Sequence, residues 1–360
     1  MLYYGGPQMT QIHGGDIYTN DIDIDFSVNI NPLGIPETVK SALHQAVEKC
    51  SQYPDINSRE LRKSLSSWLN VPESCILFGN GASELFMAIS HAVNPDKVLI
   101  PVPSFYGYRH AANAAGAELV YYYLKEENKF AFDDDFLSAL TEDIDMLFLA
   151  NPNNPTGKVL GGEYLVRVLE KCRQKNILVV LDECFIEFCH GKNLLLEELD
   201  KYSNLIVIRA FTKIFAIPGV RLGYMLCSDR VLLQKVKAHI PEWNLSTFAQ
   251  CAGLCCMGQD EYISKTIECV KTERDFLTHG IKELEAKGLQ IRAYESDVNF
   301  ILIKTDIPLY DRLLQKKILI RDCENFQGLS KGYYRIAVKL RSENEKLLKA
   351  IGECVERKAW

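Results

Sequence analysis

A lysine just past a buried-looking strand, with an arginine eight residues on, can hold a carbonyl compound that also carries an anion. Lys213 ends the run Arg209-Ala210-Phe211-Thr212-Lys213 after the apolar stretch 205–208, and Arg221 stands in AIPGVRLGY at 216–224. Lys213 is the candidate Schiff-base residue. Its amine must be partly deprotonated, which a partly buried, cationic setting favours. Asp182 closes the apolar run ILVVLD at 177–182. A carboxylate there costs desolvation free energy unless it meets a cation. Asn154 sits in NPNNPTG at 151–157, where two prolines fix the loop and leave its amide as a donor. The turn FGNGASE at 78–84 joins a strand to a helix. Its small residues let backbone amides approach a phosphate at a helix N-terminus, so Gly81, Ala82 and Ser83 are the candidate donors. Arg221 would add a charge-assisted bond to the same anion. Phe105 and Tyr108, in PVPSFYGY at 101–108, are aromatics placed to stack on a flat ring.

These residues need a scaffold that brings them together. Apolar runs at 76–78, 98–101, 119–123, 146–149, 178–181, 205–208 and 223–227 read as strands. Helical patterns such as 83–93 and 163–175 lie between them. Continuous apolar strands alternating with helices predict an α/β fold whose mostly parallel sheet is covered on both faces. Ligands in such sheets bind at the carboxyl ends of the strands, where the singled-out residues fall. After Pro241 the pattern changes to a long helical stretch at 248–287, strands at 298–303, 318–321 and 334–338, and a closing helix at 343–356. This predicts a smaller α+β C-terminal domain. The expected division is a segment 1–35 contributing to the small domain and the site, a large domain 36–240, and a small domain 241–360.

A length of 360 residues and 47% hydrophobic content suit a large core. A net charge of −6 gives no reason to expect nucleic-acid binding. No apolar run is long enough to span a membrane, and the first residues lack a signal-peptide pattern. The twelve cysteines are scattered through expected helices and strands, with no paired spacing for zinc. They read as reduced core residues of a cytoplasmic protein, with no metal. Cys184, beside Asp182, makes oxidation sensitivity an expectation.

Taken together and in this order, the motifs resemble the class I/II aminotransferase family, the fold-type-I enzymes that use pyridoxal 5'-phosphate, over nearly the whole chain. The resemblance implies Lys213 bound to the cofactor aldehyde, Asp182 on its pyridine nitrogen, Asn154 on its phenolate oxygen, and the Gly81–Ser83 turn with Arg221 on its phosphate. Within the family the chain is similar to two branches, L-threonine-O-3-phosphate decarboxylase of cobalamin biosynthesis and histidinol-phosphate aminotransferase. HGGD at 13–16, FSVNINPLG at 26–34, ILIRDCENFQGL at 318–329 and YYRIAV at 333–338 resemble the decarboxylase branch. Phe185 points the same way, because the aminotransferases usually carry a tyrosine there whose hydroxyl reaches the phenolate oxygen. By the same resemblance Arg335 clamps the substrate carboxylate, Arg321 reaches the substrate phosphate, and His13 and Asn29 help close the site. Tyr53 resembles a tyrosine that reaches the neighbouring subunit's cofactor phosphate, which implies a homodimer with shared sites. One position departs from the pattern. Ala210 stands where the family usually has serine or threonine, so a phosphate hydrogen bond is left to Thr212, Ser83 or water. The expected reaction is decarboxylation of an O-phospho-amino acid, threonine phosphate or its serine homologue, with transamination of histidinol phosphate as the alternative.

Overall fold

The computed structural model describes residues 13–189, 196 and 199–356, with side chains to Cys354. Its thirteen strands are β1 (Ile24–Asp25), β2 (Ile76–Gly79), β3 (Lys97–Val102), β4 (Glu118–Tyr123), β5 (Met146–Ala150), β6 (Leu178–Asp182), β7 (Leu205–Ala210), β8 (Gly223–Leu226), β9 (Ile291–Ala293), β10 (Phe300–Thr305), β11 (Ile318–Leu319), β12 (Arg321–Asp322) and β13 (Tyr333–Ala337).

Seven strands form the main sheet in the order β2-β8-β7-β6-β5-β3-β4. All run parallel except β8, which is antiparallel to both neighbours. Every residue of β5 and β7 is buried, so both faces of the sheet are covered. Successive side chains point to opposite faces. Leu147, Leu149, Val179, Leu181, Leu205 and Val207 accordingly pack into one core. Met146, Phe148, Val180, Ile206 and Ile208 pack into another. The expected strands and the α/β architecture are therefore present, and the strand order places the carboxyl ends of β2, β3, β5, β6 and β7 along one edge.

The C-terminal part adds a four-stranded antiparallel sheet, β12-β13-β10-β9. Helices Asp260–Ala286 and Arg341–Glu356 cover it through Leu277, Ile281, Leu347 and Ile351. Two expectations are corrected here. The stretch 248–287 is two helices, Thr247–Cys256 and Asp260–Ala286. The break begins at Met257, whose backbone is extended (φ −77°, ψ 144°), and continues through Gly258 at φ +76°, in the left-handed backbone that glycine adopts without penalty. The stretch 318–321 is two strands. β11 pairs in parallel with β1, whereas β12 pairs antiparallel with β13. The chain changes sheets at Ile320, and this turns Arg321 toward the central cleft.

The twelve cysteines are free. Among the described residues no helix is long and apolar enough to cross a membrane, and no group of metal-binding side chains is present.

Candidate active site

The carboxyl ends of the main strands and the edge of the small sheet enclose a cavity of about 370 Å³. Its wall contains every residue singled out from the sequence except Tyr53. Tyr53 is 82% exposed, and its ring lies 4.9 Å from that of Trp243.

Lys213 follows β7 on a single helical turn, Phe211–Ile214. Asn31 holds this turn in place. Its backbone amide donates to the Lys213 carbonyl at 3.1 Å. Its side-chain amide lies 2.6 Å from the Ile214 carbonyl, 2.8 Å from the Thr266 hydroxyl and 2.9 Å from the Tyr262 hydroxyl. Burial, followed by repulsion from the Arg335 guanidinium, lowers the Lys213 amine to about 8. Near neutral pH a usable fraction is therefore unprotonated, as an amine that attacks a carbonyl requires.

Asp182 is the last residue of β6. Its Oδ1 accepts the Cys184 backbone N–H at 2.9 Å and its Oδ2 accepts the Tyr108 hydroxyl at 2.6 Å. Burial still raises its pKa above the usual value, and among the described residues it forms no ion pair. A carboxylate so placed is stabilised by any ligand that brings a cationic N–H to it. The structure gives Tyr108 a different position from the expected stacking one. Its ring is packed parallel to Phe148 at 5.2 Å and edge-on to Phe86 at 5.2 Å, and its hydroxyl is directed at Asp182. Phe105 remains half-buried against the cavity.

On the far side, Gly81 precedes helix Ala82–Val93 and carries no side-chain cap, which leaves the first helical amides to face a ligand. A Cβ on Gly81 would come 2.6 Å from Arg221 Nη2, so the guanidinium lies directly on this glycine. Thr212 and Ala210 complete the wall nearby.

On the small-sheet side Arg335 and Arg321 are direct cross-strand partners in β13 and β12. Arg335 donates to Asn154 Oδ1 at 2.5 Å and to the Ser27 carbonyl at 2.8 Å. An Asn154 that gives its oxygen to a guanidinium keeps its NH2 for the cavity. Arg321 donates to the Asp322 carbonyl at 2.6 Å and to Asn325 Oδ1 at 2.7 Å, and lies over the Phe326 ring at 5.1 Å. Burial lowers Arg335 to about 10 and shifts Arg321 downward as well. His13 packs against Phe105 and Tyr106, and burial, then Arg321, holds its pKa below the usual 6.5. Two buried polar atoms of wall residues, Arg335 Nε and Asn29 Oδ1, have no hydrogen-bond partner among the described residues.

These features fit pyridoxal 5'-phosphate. A buried acid stands ready for a ring nitrogen, an uncapped helix start with an arginine for a phosphate, an amide for an oxygen between them, and an amine of lowered pKa for the aldehyde. Phe185 is buried against Phe300, with ring centres 5.1 Å apart, and offers no donor. Sequence reasoning passed over Ser27 and Asn31, which anchor Arg335 and Lys213. Both lie in FSVNINPLG, and their being polar inside an otherwise apolar run was the available signal. Asn325 and Phe326, which hold Arg321, were likewise inside a quoted motif without a role.

Comparison with known proteins agrees with this reading. The chain is 33% identical to the threonine-phosphate decarboxylase of Salmonella typhimurium over 350 residues, 94% of this chain and 95% of that one. It is 35% identical to the solved histidinol-phosphate aminotransferase from Clostridium acetobutylicum, with a TM-score of 0.85 over 93% of this chain and 99% of that one. The histidinol-phosphate aminotransferase from Sinorhizobium meliloti, solved in complex with pyridoxal-5'-phosphate, shares the fold at a TM-score of 0.83 and 21% identity, covering 94% of this chain and 92% of that one. The model of the family described as aminotransferase class I and II matches residues 21–351. This chain belongs to that family, and it is an enzyme whose cofactor is pyridoxal 5'-phosphate.

Proposed function

We propose that the enzyme decarboxylates an O-phospho-amino acid, L-threonine O-3-phosphate, to (R)-1-amino-2-propanol phosphate and carbon dioxide. The observation that carries this reading is the pairing of Arg321 with Arg335 across adjacent strands on one cavity wall, with His13 beside them. Two buried guanidinium groups repel each other, and a substrate that carries a phosphate and a carboxylate on one small molecule relieves both. The likeness to the Salmonella decarboxylase supports the same choice, and the place in cobalamin biosynthesis rests on the branch resemblance alone.

When bound, the cofactor supplies an electron sink for whichever Cα bond stands perpendicular to its ring. In this reading the protein makes that choice through orientation. Arg335 holds the substrate carboxylate through a forked pair of bonds. Arg321 holds the phosphate, and Asn29 and His13 help exclude water. Asp182 keeps a proton on the cofactor ring nitrogen. The Lys213 amine carries a proton to Cα once the carboxylate has left. Gly81, Ala82, Ser83, Thr212 and Arg221 hold the cofactor phosphate. We read the protein as a cytoplasmic homodimer in which Tyr53 serves the neighbouring site, since its ring stands exposed outside its own cavity.

The second reading is transamination of histidinol phosphate with 2-oxoglutarate. The 35% identity to a solved aminotransferase of that name favours it, and the missing hydroxyl at Phe185 weighs against it. Product analysis separates them. The cofactor-loaded enzyme is given threonine phosphate, O-phosphoserine, or histidinol phosphate with 2-oxoglutarate. Carbon dioxide without glutamate is expected. Glutamate without carbon dioxide would move the enzyme to the aminotransferase branch.

A further inference from the structure

The hydrogen bond between Tyr108 and Asp182 has a use beyond packing. Both groups are buried, the tyrosine 1% and the aspartate 9% exposed. They come from elements far apart in sequence, helix Tyr106–Ala114 and β6. Phe148 and Phe86 lock the phenol ring from two sides at 5.2 Å each, so the hydroxyl has little freedom to point elsewhere. It meets Oδ2 at 2.6 Å, while the Cys184 backbone N–H meets Oδ1 at 2.9 Å. Each carboxylate oxygen therefore has a fixed donor, and the Cys184 thiol also faces the carboxylate. Neither donor carries charge, so neither adds to the cationic surroundings of Lys213.

A buried carboxylate facing a pyridine nitrogen competes with it for one proton. If the carboxyl group wins, the ring stays neutral and is a weak electron sink. Burial favours that outcome, because it raises Asp182 toward its neutral form. A donor on the carboxylate opposes it by stabilising the charge. A phenol suits this task because it does not give its own proton away. Burial and the adjacent Asp182 drive the Tyr108 pKa well above the ordinary value.

We propose that Tyr108 is a positioning residue for the cofactor: by donating to Asp182 Oδ2 it keeps the proton shared with the cofactor ring nitrogen on the nitrogen. The proposal rests on the reading that Asp182 faces that nitrogen, and it is independent of which substrate the enzyme takes.

The test uses enzyme loaded with pyridoxal 5'-phosphate labelled with ¹⁵N in the ring, without substrate. The ring-nitrogen signal reports directly whether the nitrogen is protonated. The wild type is expected at the protonated position, and a wild-type signal of a neutral ring would overturn the proposal without recourse to any variant. In Tyr108→Phe, which keeps ring volume, the signal is expected to move toward the neutral-ring value. An unmoved signal in Tyr108→Phe would also overturn it. Asp182→Asn separates the two levels. If that variant leaves the signal in place, Asp182 is not the ring's partner and the site reading fails. If it moves the signal while Tyr108→Phe does not, only the role of Tyr108 fails.

Discussion

Lys213 owes its reactivity to its neighbours as much as to its type. Burial and the guanidinium groups of Arg335 and Arg221 lower its amine, whereas Asp182 raises it, and the result is about 8 against the usual 10.5. A lowered folded-state value means that the ammonium form is the disfavoured one. Holding Lys213 therefore costs stability below about pH 8, and the cost fades as pH rises toward 10.5, where the unfolded chain also loses the proton. The chemical consequence has the same midpoint. In the apoenzyme, the rate at which pyridoxal 5'-phosphate attaches to Lys213 is expected to rise with pH and level off above about 8. Stopped-flow recording of the visible band reads this rate, and a midpoint near that of a free lysine would discard the account. That Lys213, Asp182 and Asn154 would line one cavity was legible because each lies at or just beyond the carboxyl end of a strand. The partners were not legible. Nothing in PVPSFYGY says that Tyr108 turns away from stacking, because Phe148 and Phe86, from two other elements, decide its ring orientation.

Elements were legible where one energetic preference dominated. The seven main strands are short apolar runs that only a doubly covered sheet can bury, and they lie where the runs fall. The failures are places where two preferences met. Residues 318–321 are uniformly suited to a strand, and the competition between β1 and β13 for pairing splits them. Residues 248–287 keep a helical pattern across Met257 and Gly258, where an extended residue followed by a positive φ separates the two helices. The turn at Gly81 is the opposite case, where a single need of the backbone dominates. Gly81 has φ +77° and ψ 168°, a region that side chains other than glycine scarcely enter. Its missing Cβ is also the space in which Arg221 lies. Gly81→Ala is therefore expected to cost about 1–3 kcal/mol of stability through strain and to displace the guanidinium from the helix start. Thermal melting with and without cofactor distinguishes the two effects. The apo midpoint is expected to fall, and the rise produced by cofactor is expected to shrink. An unchanged cofactor-induced rise would mean that this turn does not hold the phosphate.

At the scale of the molecule, one short segment ties the parts of the site together. Phe26 bonds to Leu319 and Ala337 of the small-sheet region, Ser27 takes the Arg335 guanidinium, and Asn31 fixes the turn that carries Lys213. The same stretch thus braces the substrate side and the lysine, and its role emerges only once distant elements are folded against it. Tyr53 has the reverse character, since among the described residues its one ring contact is with Trp243, outside the cavity. An 82% exposed tyrosine beside a 44% exposed tryptophan, outside the cavity, is an apolar patch that a partner subunit would cover. If Tyr53 reaches the cofactor phosphate of a second copy, each site draws Lys213 from one subunit and Tyr53 from the other. Lys213→Ala is expected to be inactive, and Tyr53→Ala to hold cofactor weakly and turn over slowly at limiting cofactor. Unfolding the two variants together and refolding them should then restore activity at limiting cofactor. A mixed dimer has one site in which the intact Lys213 meets the intact Tyr53. Mixed dimers isolated with two different affinity tags give the reading, with each variant refolded alone as the control. Restored cofactor retention in the mixed dimer alone means that the site is shared. Tagged mixed dimers no better than Tyr53→Ala alone would leave Tyr53 serving its own chain or none, and a failure to recover any doubly tagged species would refute the dimer itself.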